Sequence, residues 1–135
     1  MIPRILIVEN DPQYGRWLRH HVETIFPEAN PEWRDFAQFE KLLPSLGNGE
    51  FDLMLLGAHF GTLPNQQCEG LDWLRKLRKR RTSLPIIVVA AGGSELTAVK
   101  ALRLGAADYQ SRDLLSAPLL ENSLGKTLGI PLFQE

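Results

Sequence analysis

The sequence predicts an α/β fold: a three-layer, doubly wound (βα)5 unit built on a five-stranded parallel sheet. Short apolar runs alternate five times with longer amphipathic segments along the chain. No hairpin signal separates successive runs, so their connections must be crossovers and the strands parallel. The runs are apolar almost throughout instead of alternating with polar residues, as strands covered on both faces are. Right-handed crossovers then leave the doubly wound arrangement as the natural solution.

Each element has its own signature. Ile5–Val8 is too short for a helix and apolar enough for a strand buried on both faces. Asp11 before Pro12 marks a helix start, an N-cap followed by a proline whose missing amide costs nothing there. Tyr14, Leu18, His21, Val22 and Ile25 recur at helical spacing until Pro27. Glu32–Phe36 reads as a short second strand. Phe39, Leu42, Leu43 and Leu46 mark a second helix, shortened by Pro44 and ended by Gly47 or Gly49. Phe51–Leu56 is the third run and leads into a loop from Gly57 to Glu69. Leu71, Leu74 and Leu77 place a third helix running to Arg81. Pro85–Ala91 is the most strand-like segment, and Ser94 caps a fourth helix that turns Leu96, Val99 and Leu102 inward before Gly105 closes it. Ala106–Gln110 is the fifth strand, and Leu120, Leu124 and Leu128 trace the last helix. Residues 1–128 are thus expected to form one domain, with 129–135 as a tail or the start of a linker.

Composition narrows the class. A chain of 135 residues is one domain's worth, and 44% apolar with 23% charged residues is globular in balance. Fifteen basic against sixteen acidic residues leave a net charge of −1, too little for an overall field that holds nucleic acid or anionic lipid. The single Cys68 excludes an internal disulfide framework and a structural zinc cluster, and fits a reducing compartment. No apolar run approaches the ~20 residues of a membrane span. The N-terminus lacks a signal peptide's pattern, so the expected location is the cytoplasm.

In such a sheet, ligands bind at the carboxyl ends of the strands, here around Glu9–Asp11, Gly57, Ala90–Ser94 and Gln110–Asp113. At these places the sequence resembles a response-regulator receiver domain, a CheY-like flavodoxin-like fold. Ile-Leu-Ile-Val-Glu-Asn-Asp-Pro at 5–12 is similar to the family's opening. Phe-Asp-Leu-Met-Leu-Leu at 51–56, Gly-Leu-Asp-Trp-Leu-Arg-Lys-Leu-Arg at 70–78, Pro-Ile-Ile-Val-Val at 85–89 and Leu-Gly-Ala-Ala-Asp-Tyr at 104–109 continue it in order. The resemblance implies the strand order 2-1-3-4-5 and a phosphorelay role, in which a carboxylate takes a phosphoryl group from a histidine kinase. That chemistry needs a nucleophilic Asp, acidic residues for Mg²⁺, a hydroxyl, and a Lys that neutralises the phosphoryl group.

Carried over residue by residue, the acidic pair falls on Glu9 and Asn10, followed by Asp11. The acceptor position is Gly57, the hydroxyl position Ala90 and the Lys position Arg112, with Asp113 where Pro commonly follows. Glycine has no side chain to form an acyl phosphate. Asp52 cannot replace it, because it begins the strand at the end away from the site. With no phosphoryl group to organise, one or two carboxylates make a poor Mg²⁺ site. The expectation is therefore an atypical, degenerate receiver, a pseudo-receiver with no catalytic residue, no cofactor and no enzymatic activity. It would act as a phosphorylation-independent protein–protein interaction module. The alternatives are a phosphorelay receiver using Glu9 or Asp11 as a non-standard acceptor, or a small-molecule sensor using space vacated at Gly57 and Ala90.

The partner would be a protein, a histidine kinase or an output domain, or a second copy of the chain. The family's usual interaction face, made by the fourth helix, fifth strand and fifth helix, would present Lys100, Arg103, Tyr109, Gln110, Glu121 and Lys126, with Tyr109 locked in one rotamer. The Gly57–Glu69 loop is about five residues longer than usual, an insertion that costs little in loop closure. Other features have plainer readings. Arg75–Arg81 holds six basic residues in seven, which suits a solvated helix C-terminus better than a nucleic-acid contact. Gly92-Gly93-Ser94 matches no phosphate-binding fingerprint and reads as a turn and cap. His59 and Cys68 lack a third ligand at metal spacing. His20 and His21 flank the first helix's packed seam, and Trp17 and Trp73 are expected to pack half-buried.

Overall fold

A computed structural model of the chain describes residues 2–46, 49–59, 71–80, 83–92 and 95–130. Five strands form a single parallel sheet in the order β2-β1-β3-β4-β5. They are β1 (Ile5–Val8), β2 (Glu32–Arg34), β3 (Leu53–His59), β4 (Ile86–Ala91) and β5 (Asp108–Ser111). The helices are α1 (Pro12–Ile25), α2 (Phe36–Leu42, continued by a 3-10 turn at Leu43–Ser45), α3 (Leu71–Lys79), α4 (Glu95–Arg103) and α5 (Ala117–Leu128). The three-layer doubly wound prediction and its strand order are what the structure shows.

The strand pleat sends alternate residues to opposite faces, and each face has its own core. Leu6, Val8, Met54, Leu56, Ile86 and Val88 pack against Phe39, the α3 leucines 71, 74 and 77, and Ala101 of α4. Ile5, Ile7, Leu53, Leu55, Ile87 and Val89 pack against Tyr14, Leu18 and Val22 of α1 and Leu120 and Leu124 of α5. The central strands are buried up to their last residues, His59 in β3 and Ala91 in β4, which is why their sequences read as bare apolar runs.

Several boundaries differ from expectation for local reasons. β3 continues through Gly57, Ala58 and His59, so these residues are strand and not loop, held by pairing with Val89, Ala90 and Ala91. β2 ends at Arg34 because Asp35 caps α2, its carboxylate accepting from the Gln38 amide while Gln38 returns a bond to the Asp35 amide. Ala106 and Ala107 precede β5, which starts at Asp108. Asp11 caps α1 with Pro12 at its first position, as read from the sequence. The Ser94 cap, the distal part of the 57–69 loop including Cys68, Gly47 and Arg81 lie outside the described residues.

The largest correction concerns α4. Leu96, Val99 and Leu102, expected inward, are 69%, 43% and 50% exposed. The helix docks on the sheet through Ala101, whose small side chain allows close approach, and the bulkier aliphatic residues occupy the opposite sector. Among the described residues, no helix is long and apolar enough to cross a membrane.

Candidate functional site

The carboxyl ends of β1, β3, β4 and β5 converge where a doubly wound sheet places its site. Glu9, immediately after β1, is only 1% exposed. Its backbone is fixed on both sides: the amide donates to Arg34 O at 3.0 Å, and the carbonyl accepts from Trp33 Nε1 at 2.9 Å. The buried carboxylate Oε1 accepts from the Asp11 amide at 3.0 Å and meets His59 Nε2 at 2.7 Å. Across from it, Gly57 leaves the space this carboxylate fills. A Cβ at Gly57 would lie 1.8 Å from Glu9 Oε2 and 2.7 Å from Cδ, well inside contact distance. Between Leu53 and His59, β3 carries no carboxylate of its own.

A second cluster sits beside the first. Arg112 Nη2 donates to Asp11 Oδ2 at 2.6 Å, and its guanidinium lies 4.2 Å from the Tyr14 ring centroid. The other Asp11 oxygen accepts from the amides of Gln13 and Tyr14 at the start of α1. The Arg112 bond, foremost, and the helix amides outweigh partial burial and hold the Asp11 carboxyl below its usual range. Arg112 is itself anchored through its amide, which donates to Ala90 O at 2.7 Å. Tyr14, whose buried hydroxyl has no hydrogen-bond partner among the described residues, has a pKa pushed up to about 12, mainly by burial. Asn10 points elsewhere, its side-chain oxygen accepting from the Phe36 amide at the head of α2.

Of the six pocket residues read from the sequence, Glu9 and Gly57 are therefore brought together, as are Asp11, Arg112 and Ala90, while Asn10 joins the β2–α2 corner. His59 and Trp33 were missed. The signal for His59 was available: strand periodicity puts residues 57 and 59 on one side. The expected loop at Gly57 concealed it. His59 is a partner of Glu9. The carboxylates do not fit Mg²⁺, which takes oxygen ligands in near-octahedral geometry. Glu9 Oε1 is committed to His59 and an amide, Asp11 to a guanidinium and two amides, and residue 57 supplies no side-chain oxygen. Among the described residues no three His, Cys, Asp or Glu side chains are grouped to hold a metal ion.

At the β5 edge, the Tyr109 ring packs against the α3-side core and its hydroxyl lies 3.3 Å from Thr97 Oγ1 on α4. Asp108, preceding it, accepts from Ser123 Oγ at 2.5 Å and from Gln110 Nε2 at 3.0 Å, tying β5 to α5. Gln110 thus turns inward, Glu121 is half-buried, and Lys100, Arg103 and Lys126 are exposed. The basic stretch from Arg75 is partly absorbed by structure. Arg75 pairs with Asp72, Lys76 covers Trp73, and Arg78 donates to Leu84 O and Gly105 O. Trp73 also meets Phe36 and Phe39 edge-on, and Trp17 stacks on Tyr14 and touches His21, so both tryptophans pack half-buried as expected.

The family model for the response regulator receiver domain matches residues 5–122. The chain belongs to this family. Among curated proteins, this receiver is 29% identical over 129 residues to the response regulator protein FleR of Pseudomonas aeruginosa, covering 96% of the chain and 25% of FleR. It is 30% identical over 124 residues to the photosynthetic apparatus regulatory protein RegA of Rhodovulum sulfidophilum, covering 89% of the chain and 63% of RegA. The chain thus spans less than two thirds of the length of these relatives. Among solved structures, it is similar in fold to a signal receiver domain of a DNA-binding response regulator from Colwellia psychrerythraea 34H, with a TM-score of 0.73 at 18% identity and coverage of 93% and 98%. A response regulator receiver protein from Pseudoalteromonas atlantica gives 0.71 at 24% identity, covering 94% and 98%.

Proposed function

We propose that this receiver works without aspartyl phosphorylation, as a protein–protein interaction module with no reaction of its own. The observation that carries the reading is the occupation of the Gly57 side-chain space by the Glu9 carboxylate. A receiver that takes a phosphoryl group needs an acceptor carboxylate on β3, a metal site beside it and a mobile cation. Here glycine stands at the acceptor position, Glu9 is hydrogen-bonded to His59, and Arg112 is engaged with Asp11 and stacked on Tyr14. Internal contacts thus take up the groups that would otherwise serve metal and phosphate. A substitute acceptor would have to be Glu9 or Asp11: both Asp11 oxygens are engaged, and Glu9, bonded through Oε1, is buried with its Oε2 in the Gly57 side-chain space. The space at Gly57 is filled by protein, which argues against a small-molecule sensor there.

The surface that would signal is the α4–β5–α5 face, with Lys100, Arg103 and Lys126 exposed and the Tyr109 hydroxyl held by Thr97. Its partner would be a protein: a histidine kinase, an output domain or a second copy. The lone Cys68 suits the reducing cytoplasm. Incubation of the full chain with Mg²⁺ and acetyl phosphate, followed by intact-mass measurement, tests the reading. The expected result is an unmodified chain, and stoichiometric addition of one phosphoryl group overturns it.

A further inference from the structure

The outer face of α3 gathers positive charge that the fold leaves unanswered. Leu71, Leu74 and Leu77 point one way, into the core. Arg75, Lys76, Lys79 and Arg80 are all exposed and take the opposite side, a sector about 140° wide at 100° per residue. The Arg80 amide donates to Lys76 O at 3.2 Å, so the helical course holds as far as Arg80. The four cations thus fall within about 8 Å of helix axis. Arg75 precedes Lys79 by four residues and Lys76 precedes Arg80 by four, so like charge faces like along both rows, which weakens a helix. The one carboxylate of α3, Asp72, pairs with Arg75 at 3.0 Å. Among the described residues, Lys76, Lys79 and Arg80 have no carboxylate partner. On α1, by contrast, the same spacing is compensated, Arg19 pairing with Glu23.

We propose that this face of α3 docks an acidic segment of a partner protein, its carboxylates set against Arg75, Lys76, Lys79 and Arg80. The surface is separate from the α4–β5–α5 face and lies at the far end of the sheet from the Gly57 pocket. Arg78 fixes it there, tying the end of α3 to Leu84 O and Gly105 O, ahead of β4 and β5. Carboxylates laid along the two rows relieve the repulsion between the cations and supply the charge complementarity. About 8 Å of helix matches a turn or two of acidic helix, or a few extended residues. The distribution of charge over the rest of the chain sets the class of partner. All sixteen acidic residues lie outside 75–81, where the chain has only nine basic ones. A nucleic acid or an anionic membrane extends past the patch and meets this net negative surface, whereas a short acidic segment meets the patch alone. Trp73, half-buried beneath Lys76, borders the face and offers an apolar contact beside the charges.

Amide spectra of the full chain at low salt, titrated with a short polyglutamate peptide, test the proposal. Saturable one-to-one shifts at residues 75–80 are expected, fading as added salt screens the charges. Lys79→Glu and Arg80→Glu, both at exposed positions, each weaken binding about tenfold by setting like charges together. Arg16→Glu, an exposed reversal on α1, leaves it unchanged. A polyglutamine peptide of the same length and a DNA duplex both bind more weakly than polyglutamate. The absence of a saturable shift, shifts spread evenly over the other basic residues, or a loss as large for Arg16→Glu as for the α3 variants overturns the proposal. So does polyglutamine binding as tightly as polyglutamate, or tighter binding of the duplex, which would assign the face to nucleic acid. The acetyl phosphate result is separate: modification there would overturn the phosphorylation-independent reading and leave the peptide titration to decide this one.

Discussion

The carboxylate of Glu9 stands where a side chain on Gly57 would begin, with 1.8 Å between Oε2 and an added Cβ. The buried Glu9 carboxylate is tied through Oε1 to the Asp11 amide and His59, so moving it aside breaks those bonds. Substituting Gly57→Ala should therefore destabilise the fold by about 1–3 kcal/mol, the range for overpacking. In a Glu9→Ala background the same change should cost little. A double-mutant cycle by urea unfolding checks this, and simple additivity of the two changes would count against the steric account.

His59 balances a buried carboxylate. Its removal leaves the buried Glu9 carboxylate with the Asp11 amide but without its imidazole partner, so His59→Ala should cost about 2 kcal/mol, below the usual penalty for breaking a buried pair because His59 is partly exposed. Adding Glu9→Gln should recover part of the loss, since the uncompensated charge is then gone. Equilibrium unfolding of the single and double variants at neutral pH decides it.

Asp11 and Arg112 give the fold an acid-sensitive contact. The folded carboxyl titrates below its ordinary 3.8, first because of the Arg112 hydrogen bond. Its contribution is therefore complete above pH 3.8 and is lost as pH falls through the lower folded value. Arg112→Ala should cost about 1 kcal/mol at pH 7, from the ion pair and the stacking on Tyr14. The gap between variant and wild type should narrow on acidification below 3.8, measured by denaturant unfolding at successive pH values.

Gly15 and Trp33 form a second close approach. A Cβ on Gly15 would lie 2.4 Å from Trp33 Cε2, and the indole that fills the space also holds the Glu9 carbonyl. Alanine normally stabilises a helix interior by about 1 kcal/mol over glycine. Here Gly15→Ala should instead destabilise, and in a Trp33→Ala background its sign should reverse. Thermal unfolding of the four chains reads the reversal directly.

Much of this architecture was legible because buried parallel strands and capped helices leave local marks. Ile5–Val8, Pro85–Ala91 and Asp11-Pro12 each announce their element without tertiary knowledge. The orientation of α4 was not legible. Leu96, Val99 and Leu102 define a stripe, but periodicity does not say which way a stripe faces, and Ala101 gives little hydrophobic signal while making the buried contact. At the site, Glu9, Gly57, Asp11 and Arg112 could be located by position in the chain. Their pairing could not, because the Glu9–His59 contact joins residues 50 apart and Asp11–Arg112 joins residues 101 apart. His59 was hidden further by Gly57, whose identity suggested a loop where lateral pairing with β4 extends the strand.

The Glu9 carboxylate already fills the Gly57 side-chain space. Backbone amide spectra recorded during titration with Mg²⁺ and beryllofluoride test it most directly at Glu9, Gly57, Ala90 and Arg112. These amides are expected to stay in place, with only the diffuse drift that added salt produces. A saturable, stoichiometric shift centred on Gly57 and Ala90 would contradict it.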